Sequence, residues 1–113
     1  MLKKKNRLNR QLVAKAIKRG QVINYGNLRL FFLLNRLDYS RLAVVIPKKV
    51  CKKSTQRNLI KRRFRAAWEE IFNQIGFDFV LMVYKEQYRF PDCQQILQRL
   101  KLSFDNKQNS KIE

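Results

Sequence analysis

The stretch from Ser54 to Phe72 constrains the fold more than any other part of the chain, because its apolar residues repeat with helical period. Ile60, Phe64, Ala67, Trp68, Ile71 and Ile75 recur at three- and four-residue steps, which places them on one face of an α-helix. That stripe has to pack onto a core. No Gly or Pro interrupts the run. Ser54 or Thr55 is positioned to accept orphan amide hydrogen bonds as N-cap, and Gly76 reads as the C-terminal stop.

The rest of this helix is unusually basic. Arg57, Lys61 and Arg65 stand four apart along one flank, with Asn58 and Arg62 beside them. A charged helix face is most often just a solvated surface. Here, however, no acid occurs between Arg41 and Arg65, whereas surface helices usually mix signs to gain i,i+4 pairs. Like charges this close cost stability unless something external neutralises them, so a polyanion-binding face is the preferred reading. Lys48, Lys49, Lys52 and Lys53 add cations just before the helix, where free amides and the macrodipole also favour anions.

The whole chain shares this bias. Its 113 residues make one domain, with 26 Lys and Arg against 8 Asp and Glu, for a net charge of +18. Residues 1–65 hold 20 of the basic residues and one acid, Asp38; residues 66–113 hold 6 basic and 7 acidic. Such a field repels itself in the compact state, and a nucleic acid is its natural counter-charge.

Around the central helix the sequence predicts the order α-β-β-β-α-β-α, an α+β fold with helices layered on a mainly antiparallel sheet. Residues 1–8 read as a loosely held basic arm. Asn9 caps a helix to Arg19, with Leu12, Val13, Ala16 and Ile17 on its apolar face and Gly20 as its stop. Gln21–Asn24 is extended, Tyr25-Gly26-Asn27 a turn, and Leu28–Leu34 a strand. Residues 35–40 read as a hairpin-like connection to a second strand, Arg41 to Pro47. Phe77–Tyr84 is the clearest strand, and Asp92 to Phe104 a helix with Asp92 as candidate cap. The tail 105–113 is expected to fray.

The chemistry present favours binding over catalysis. The chain has no His, and its single acid before residue 66 cannot build an acidic metal cage. Glu69 and Glu70 are adjacent on a helix and point different ways; Asp78, Glu86 and Asp92 remain a minor possibility for convergence. Cys51 and Cys93 lack CxxC spacing and read as packing or surface thiols in a reducing compartment. No apolar run is long enough to span a bilayer, and no apolar h-region follows the basic start, so the expected location is cytoplasmic. Phe31 and Phe32 alternate in a strand, so one meets the core and the other is free to stack on unpaired bases.

At Arg57-Asn58-Leu59-Ile60-Lys61-Arg62 the sequence resembles the protein subunit of bacterial ribonuclease P, which carries an Arg-Asn-Arg-x-Lys-Arg signature on its corresponding helix. Arg19-Gly20, the strand Ala43 to Pro47 leading into Lys48-Lys49, and the strand start Gly76 to Val80 also resemble that family, in the same order. Leu59 stands where the family has its second Arg, and Val13 and Ile17 stand where it has two Phe. Phe31 matches its aromatic strand position in the cleft. The resemblance implies a small α/β sandwich with a left-handed βαβ crossover. It also implies a protein that binds the catalytic RNA and the 5′ leader of precursor tRNA. The RNA, with Mg2+, makes the cut, and the protein holds no cofactor of its own. On that footing Lys48, Lys49, Lys52, Lys53, Arg57, Asn58, Lys61, Arg62 and Arg65 are expected to hold RNA, and Val13, Ile17 and Phe31 to border the leader cleft. The alternatives are a ribosomal-type RNA-binding protein and a DNA-binding module laying the 57–65 helix in a major groove.

Overall fold

The computed structural model describes residues 6–72, 74–85 and 87–112. Its elements are α1 (Arg10–Arg19), β1 (Gln21–Tyr25), β2 (Leu28–Leu34), β3 (Arg41–Val45), α2 (Ser54–Ile71), β4 (Phe77–Val83) and α3 (Phe90–Ile112). This is the predicted α+β order. The four strands form one mixed sheet in the order β1-β2-β4-β3. β1 pairs with β2 and β2 with β4, both antiparallel, while β3 runs parallel to β4.

That order corrects the hairpin expected at residues 35–40, because β4 lies between β2 and β3. The segment is instead pinned to the entry of β4. Asn35 N–H donates to the Gly76 carbonyl at 2.8 Å, and Asn35 Nδ2 donates to Asp78 Oδ1 at 2.9 Å. Ser40 Oγ donates to the Gln74 carbonyl at 2.7 Å. Gly76 is therefore not the helix stop. It sits in this crossing at φ 85°, a left-handed backbone that favours glycine, while α2 ends at Phe72 in extended conformation. Ile75, expected on the helix stripe, lies outside the helix and is 65% exposed.

One face of the sheet carries the main core. Leu28, Leu30 and Phe32 of β2, Leu42 and Val44 of β3, and Phe79, Leu81 and Val83 of β4 are buried against α2 and α3. The helices contribute Ile60, Phe64, Ala67 and Trp68, then Leu97, Leu100 and Phe104. Trp68 stacks on Phe72 at 3.8 Å between centroids, and Phe104 meets Phe32 and Phe79 edge-on at 5.0 and 5.3 Å. Each such aromatic or Leu side chain stabilises by roughly 1.5–3 kcal/mol on burial, so this layer sets the position of α2.

α1 lies on the other face, against β2 and β4. Asn9 Oδ1 accepts from Leu12 N–H at 2.9 Å, as predicted for its cap. Gly20 does end the helix, though at an ordinary extended φ of −79°. Its lack of a side chain is needed for close approach: a Cβ there would lie 2.4 Å from the Ala16 carbonyl oxygen and 2.6 Å from that of Phe32.

Two helix starts and both termini depart from expectation. Lys53, not Ser54 or Thr55, is the N-cap of α2, without a side-chain capping bond. Asp92 caps α3 from inside its first turn, accepting from Arg89 N–H at 3.0 Å, while the Arg89 carbonyl accepts from Cys93 N–H at 3.1 Å. α3 continues to Ile112 where fraying from residue 105 was expected; Asp105 accepts from Gln74 Nε2 at 3.1 Å and Lys101 Nζ at 3.2 Å. Of the basic arm, residues 1–5 lie outside the described residues. Arg7 bridges in parallel to Leu42, and Asn6 Nδ2 donates to the Ser40 carbonyl at 2.8 Å, so 6–8 are held against β3.

Candidate nucleic-acid interface

The apolar stripe of α2 faces the sheet, so its cations are carried on the remaining surface. Asn58 and Arg62 are exposed; Arg57, Lys61 and Arg65 are half-buried along one flank. Their proximity is felt electrostatically. The Lys61 ammonium is held below its ordinary pKa by burial first, then by Arg65 and Arg57. The Arg65 guanidinium is likewise pushed down by burial and then by Arg7. Arg7, bridged to the β3 edge, therefore extends the row of α2 cations beyond the helix. The sequence signal for it was only membership of a basic arm.

Lys48 and Lys49 are exposed in the turn after β3, closed by Val50 N–H donating to the Pro47 carbonyl at 2.9 Å. Lys52 and Lys53 are exposed at the start of α2. Lys49, Lys52 and Lys53, with Val50, Cys51 and Gln56, line an open cleft of about 580 Å³. Arg57 Nη1 donates to the carbonyls of Cys51 and Lys52 at 2.8 and 2.9 Å, so this guanidinium also holds the lysine loop in place. Arg63, next to the signature residues, turns elsewhere and donates to the Tyr88 carbonyl at 2.7 Å. It cannot replace the cation absent at Leu59, which is half-buried.

The helix dipole sharpens this picture. α2 has no acid in its first turn and no base in its last. Lys52, Lys53 and Arg57 crowd the positive end, while Glu69 and Glu70 stand at the negative end. Both placements oppose the macrodipole, each at about 0.3–1 kcal/mol when exposed. Among the described residues, ion pairs form at Arg41–Asp78, Arg89–Asp92 and Lys101–Asp105.

The sheet face under α1 holds the second group. Phe32 is in the core, and Phe31 is half-buried on the opposite face, paired with Val22 of β1 and Val80 of β4. Val13 is half-buried on α1 and Ile17 is 39% exposed; Val22 is 36% exposed. Val22, directly across the ladder from Phe31, thus leaves apolar surface open beside it. Two residues along β2, Arg29 is exposed on the same face, its guanidinium 5.7 Å from the ring centroid of Tyr84. Sequence reading passed over this pair, although the even register of Tyr84 with Val80 and Met82 places it on that face.

Asp78, weighed as one of three converging acids, is buried and bound by Arg41 Nε and Nη2, both at 2.8 Å. Glu86, the second, is outside the described residues, and Asp92 serves the α3 cap. Among the described residues no group of three His, Cys, Asp or Glu is placed to hold a metal ion. Nor, among them, is any helix long and apolar enough to cross a membrane.

Residues 2–107 match the family model described as Ribonuclease P. The chain is 31% identical over 90 residues to the ribonuclease P protein component of Blochmanniella floridana, covering 79% of this chain and 75% of that one. It is 35% identical over 88 residues to that of Petrotoga mobilis, covering 74% and 73%. The solved RNase P protein from Thermotoga maritima superposes with a TM-score of 0.70 at 29% identity, over 83% of this chain and 93% of that one. The Staphylococcus aureus RNase P protein gives a TM-score of 0.75 at 20% identity, over 87% and 94%, a likeness of fold alone.

Proposed function

Because this chain belongs to the bacterial ribonuclease P protein family, as a subunit of the ribonuclease P holoenzyme, we propose a division of labour between its two surfaces. The α2 row and its preceding loop grip the catalytic RNA. Lys48, Lys49, Lys52, Lys53, Arg57, Asn58, Lys61, Arg62 and Arg65 neutralise phosphates there, and Arg7 continues the row. The sheet face at Phe31, bordered by Val13 and Ile17, takes the single-stranded 5′ leader of precursor tRNA. The RNA carries Mg2+ and cleaves the phosphodiester bond that frees the mature 5′ end. The protein supplies charge neutralisation and positioning.

The observation that carries this reading is the electrostatic strain on α2. Cations sit at its positive end, and farther along the helix the Lys61 ammonium is pushed down by burial first and then by its neighbours Arg65 and Arg57. A polyanion relieves both penalties and releases counterions as it binds. Membership of the family takes precedence over the ribosomal-type alternative.

The test is reconstitution with the cognate catalytic RNA at low magnesium. Wild-type protein should restore cleavage of precursor tRNA. Charge reversal at Lys61 and Arg62 should weaken assembly sharply at physiological salt and much less at high magnesium, in a filter-binding titration. Unchanged assembly by that double variant would remove α2 from the RNA interface.

A further inference from the structure

α2 carries cations on both flanks of its buried stripe. Gln56 and Arg63 stand two helical turns apart on the flank away from Arg57, Lys61 and Arg65, with buried Ile60 and Phe64 between the two flanks. That second flank faces the connection from β4 to α3, where Arg63 Nη1 donates to the Tyr88 carbonyl at 2.7 Å. Between helix and connection lies an open cleft of about 430 Å³, with Arg63, Lys85 and Arg89 in its wall. Lys85 and Arg89 are exposed, and Arg63 is half-buried. Asp92, the acid in that wall among the described residues, is already engaged: its Oδ2 accepts from Arg89 N–H at 3.0 Å and lies 3.7 Å from Arg89 Nε.

The cleft continues into the one beside the lysine loop, because Gln56 and Gln87 line both. A cationic groove therefore runs from Lys49, Lys52 and Lys53 along α2 to Arg63. Tyr88, the aromatic residue in its wall, is 7% exposed and meets Phe64 edge-on at 5.2 Å, so its ring belongs to the core. The groove thus offers cations and amides without a stacking platform, which suits a ribose–phosphate backbone and not unpaired bases. An α-helix with its side chains is about 10–12 Å across. A backbone in this groove and one on the 57–65 row are therefore separate strands.

We propose that this groove binds a second segment of the catalytic RNA, so that RNA grips α2 along both flanks. Lys49 and Lys53 admit the backbone at the loop end, and Lys85 and Arg89 neutralise its phosphates farther along. Gln56 and Gln87 hydrogen-bond ribose or phosphate oxygens between them. Arg63, fixed on the Tyr88 carbonyl, is a positioning residue for the far wall. The proposal rests on the 57–65 row as the first RNA contact, and adds a separate strand to it.

The experiment reads hydroxyl-radical protection of the catalytic RNA by the full-length protein, nucleotide by nucleotide, with log K followed against log salt. Three double variants each remove two charges: Lys85→Gln with Arg89→Gln in the groove, Lys61→Gln with Arg62→Gln on the row, and Arg36→Gln with Arg99→Gln, exposed elsewhere, as control. The groove variant should lose protection at nucleotides that the row variant still protects, and lose about two units of salt slope. Gln87→Glu, which puts an acid where the two clefts meet, should weaken the same protections without removing a cation. Thermal midpoints of the free variants check that each folds. A groove variant with the wild-type footprint and slope would overturn the proposal while leaving the row reading intact. Losses at the same nucleotides as the row variant, or no greater than in the control, would overturn it too. A row variant that keeps every protection would overturn the row reading itself, and the two-flank grip with it.

Discussion

Cys93 is sealed at the start of α3, with no exposure. Its thiol is pushed up to about 12, by burial first and then by Asp92, against smaller opposing effects of Arg63 and its own backbone bond. Tyr88 nearby is raised as well, by burial and then by Cys93. An acid whose folded pKa exceeds its unfolded value keeps its proton in the native state after the unfolded chain has lost it. Stability should therefore be flat below the ordinary thiol pKa of about 9 and fall as pH climbs from there toward 12. The loss approaches ~1.4 kcal/mol per pH unit within that window. Urea midpoints at rising pH should show the decline, and Cys93→Ala should flatten it despite its cavity. The sequence admitted this thiol as packing or surface; only burial between elements decides. Asp78 teaches the same lesson, since a carboxylate in a strand looked available until Arg41, 37 positions away, closed on both its oxygens. Gly20 was placed correctly, yet the reason lies in the Phe32 carbonyl across the fold.

Among the elements, α2 was the most legible, because four buried residues at helical spacing leave no other period. Its start was less so. Local chemistry nominates Ser54 or Thr55, but the loop is held by the Arg57 guanidinium on the Cys51 and Lys52 carbonyls, which a capping rule does not see. α3 outran its expected end because Phe104 is fully buried and Lys107 Nζ reaches the Val22 carbonyl at 3.1 Å; long-range partners hold a polar stretch that composition alone would release. The cation row on α2 implies a trade between stability and binding. Lys61→Gln removes a charge flanked by Arg57 and Arg65, so the free protein should gain a few tenths of a kcal/mol, about what a like-charge helix pair costs. The same variant should bind the catalytic RNA more weakly. A raised or unchanged Tm together with a weaker Kd would mark Lys61 as placed for the partner and not for the fold; a lowered Tm would refute that.

At the scale of the molecule, strand identity was readable and strand order was not. Apolar runs of strand length mark β2, β3 and β4, but inserting β4 between β2 and β3 is a non-local choice made by the α2 crossover. That order has a functional consequence: β3 becomes the sheet edge, where Arg7 joins it within electrostatic reach of Arg65 on α2. The charge imbalance of residues 1–65, visible in the sequence as a property of half the chain, thus acquires a direction. If that direction governs binding, counterion release should depend on where a cation stands and not on net charge. Arg62, exposed on α2, and Arg99, exposed on α3, allow the comparison, because Gln at either site changes the net charge equally. Binding of the catalytic RNA, followed as log K against log salt, should lose about one unit of slope in Arg62→Gln, the loss of roughly one phosphate contact. Arg99→Gln should retain the wild-type slope. Equal changes in the two variants would mean that the RNA responds to total charge alone, and the oriented face would have no part in recognition.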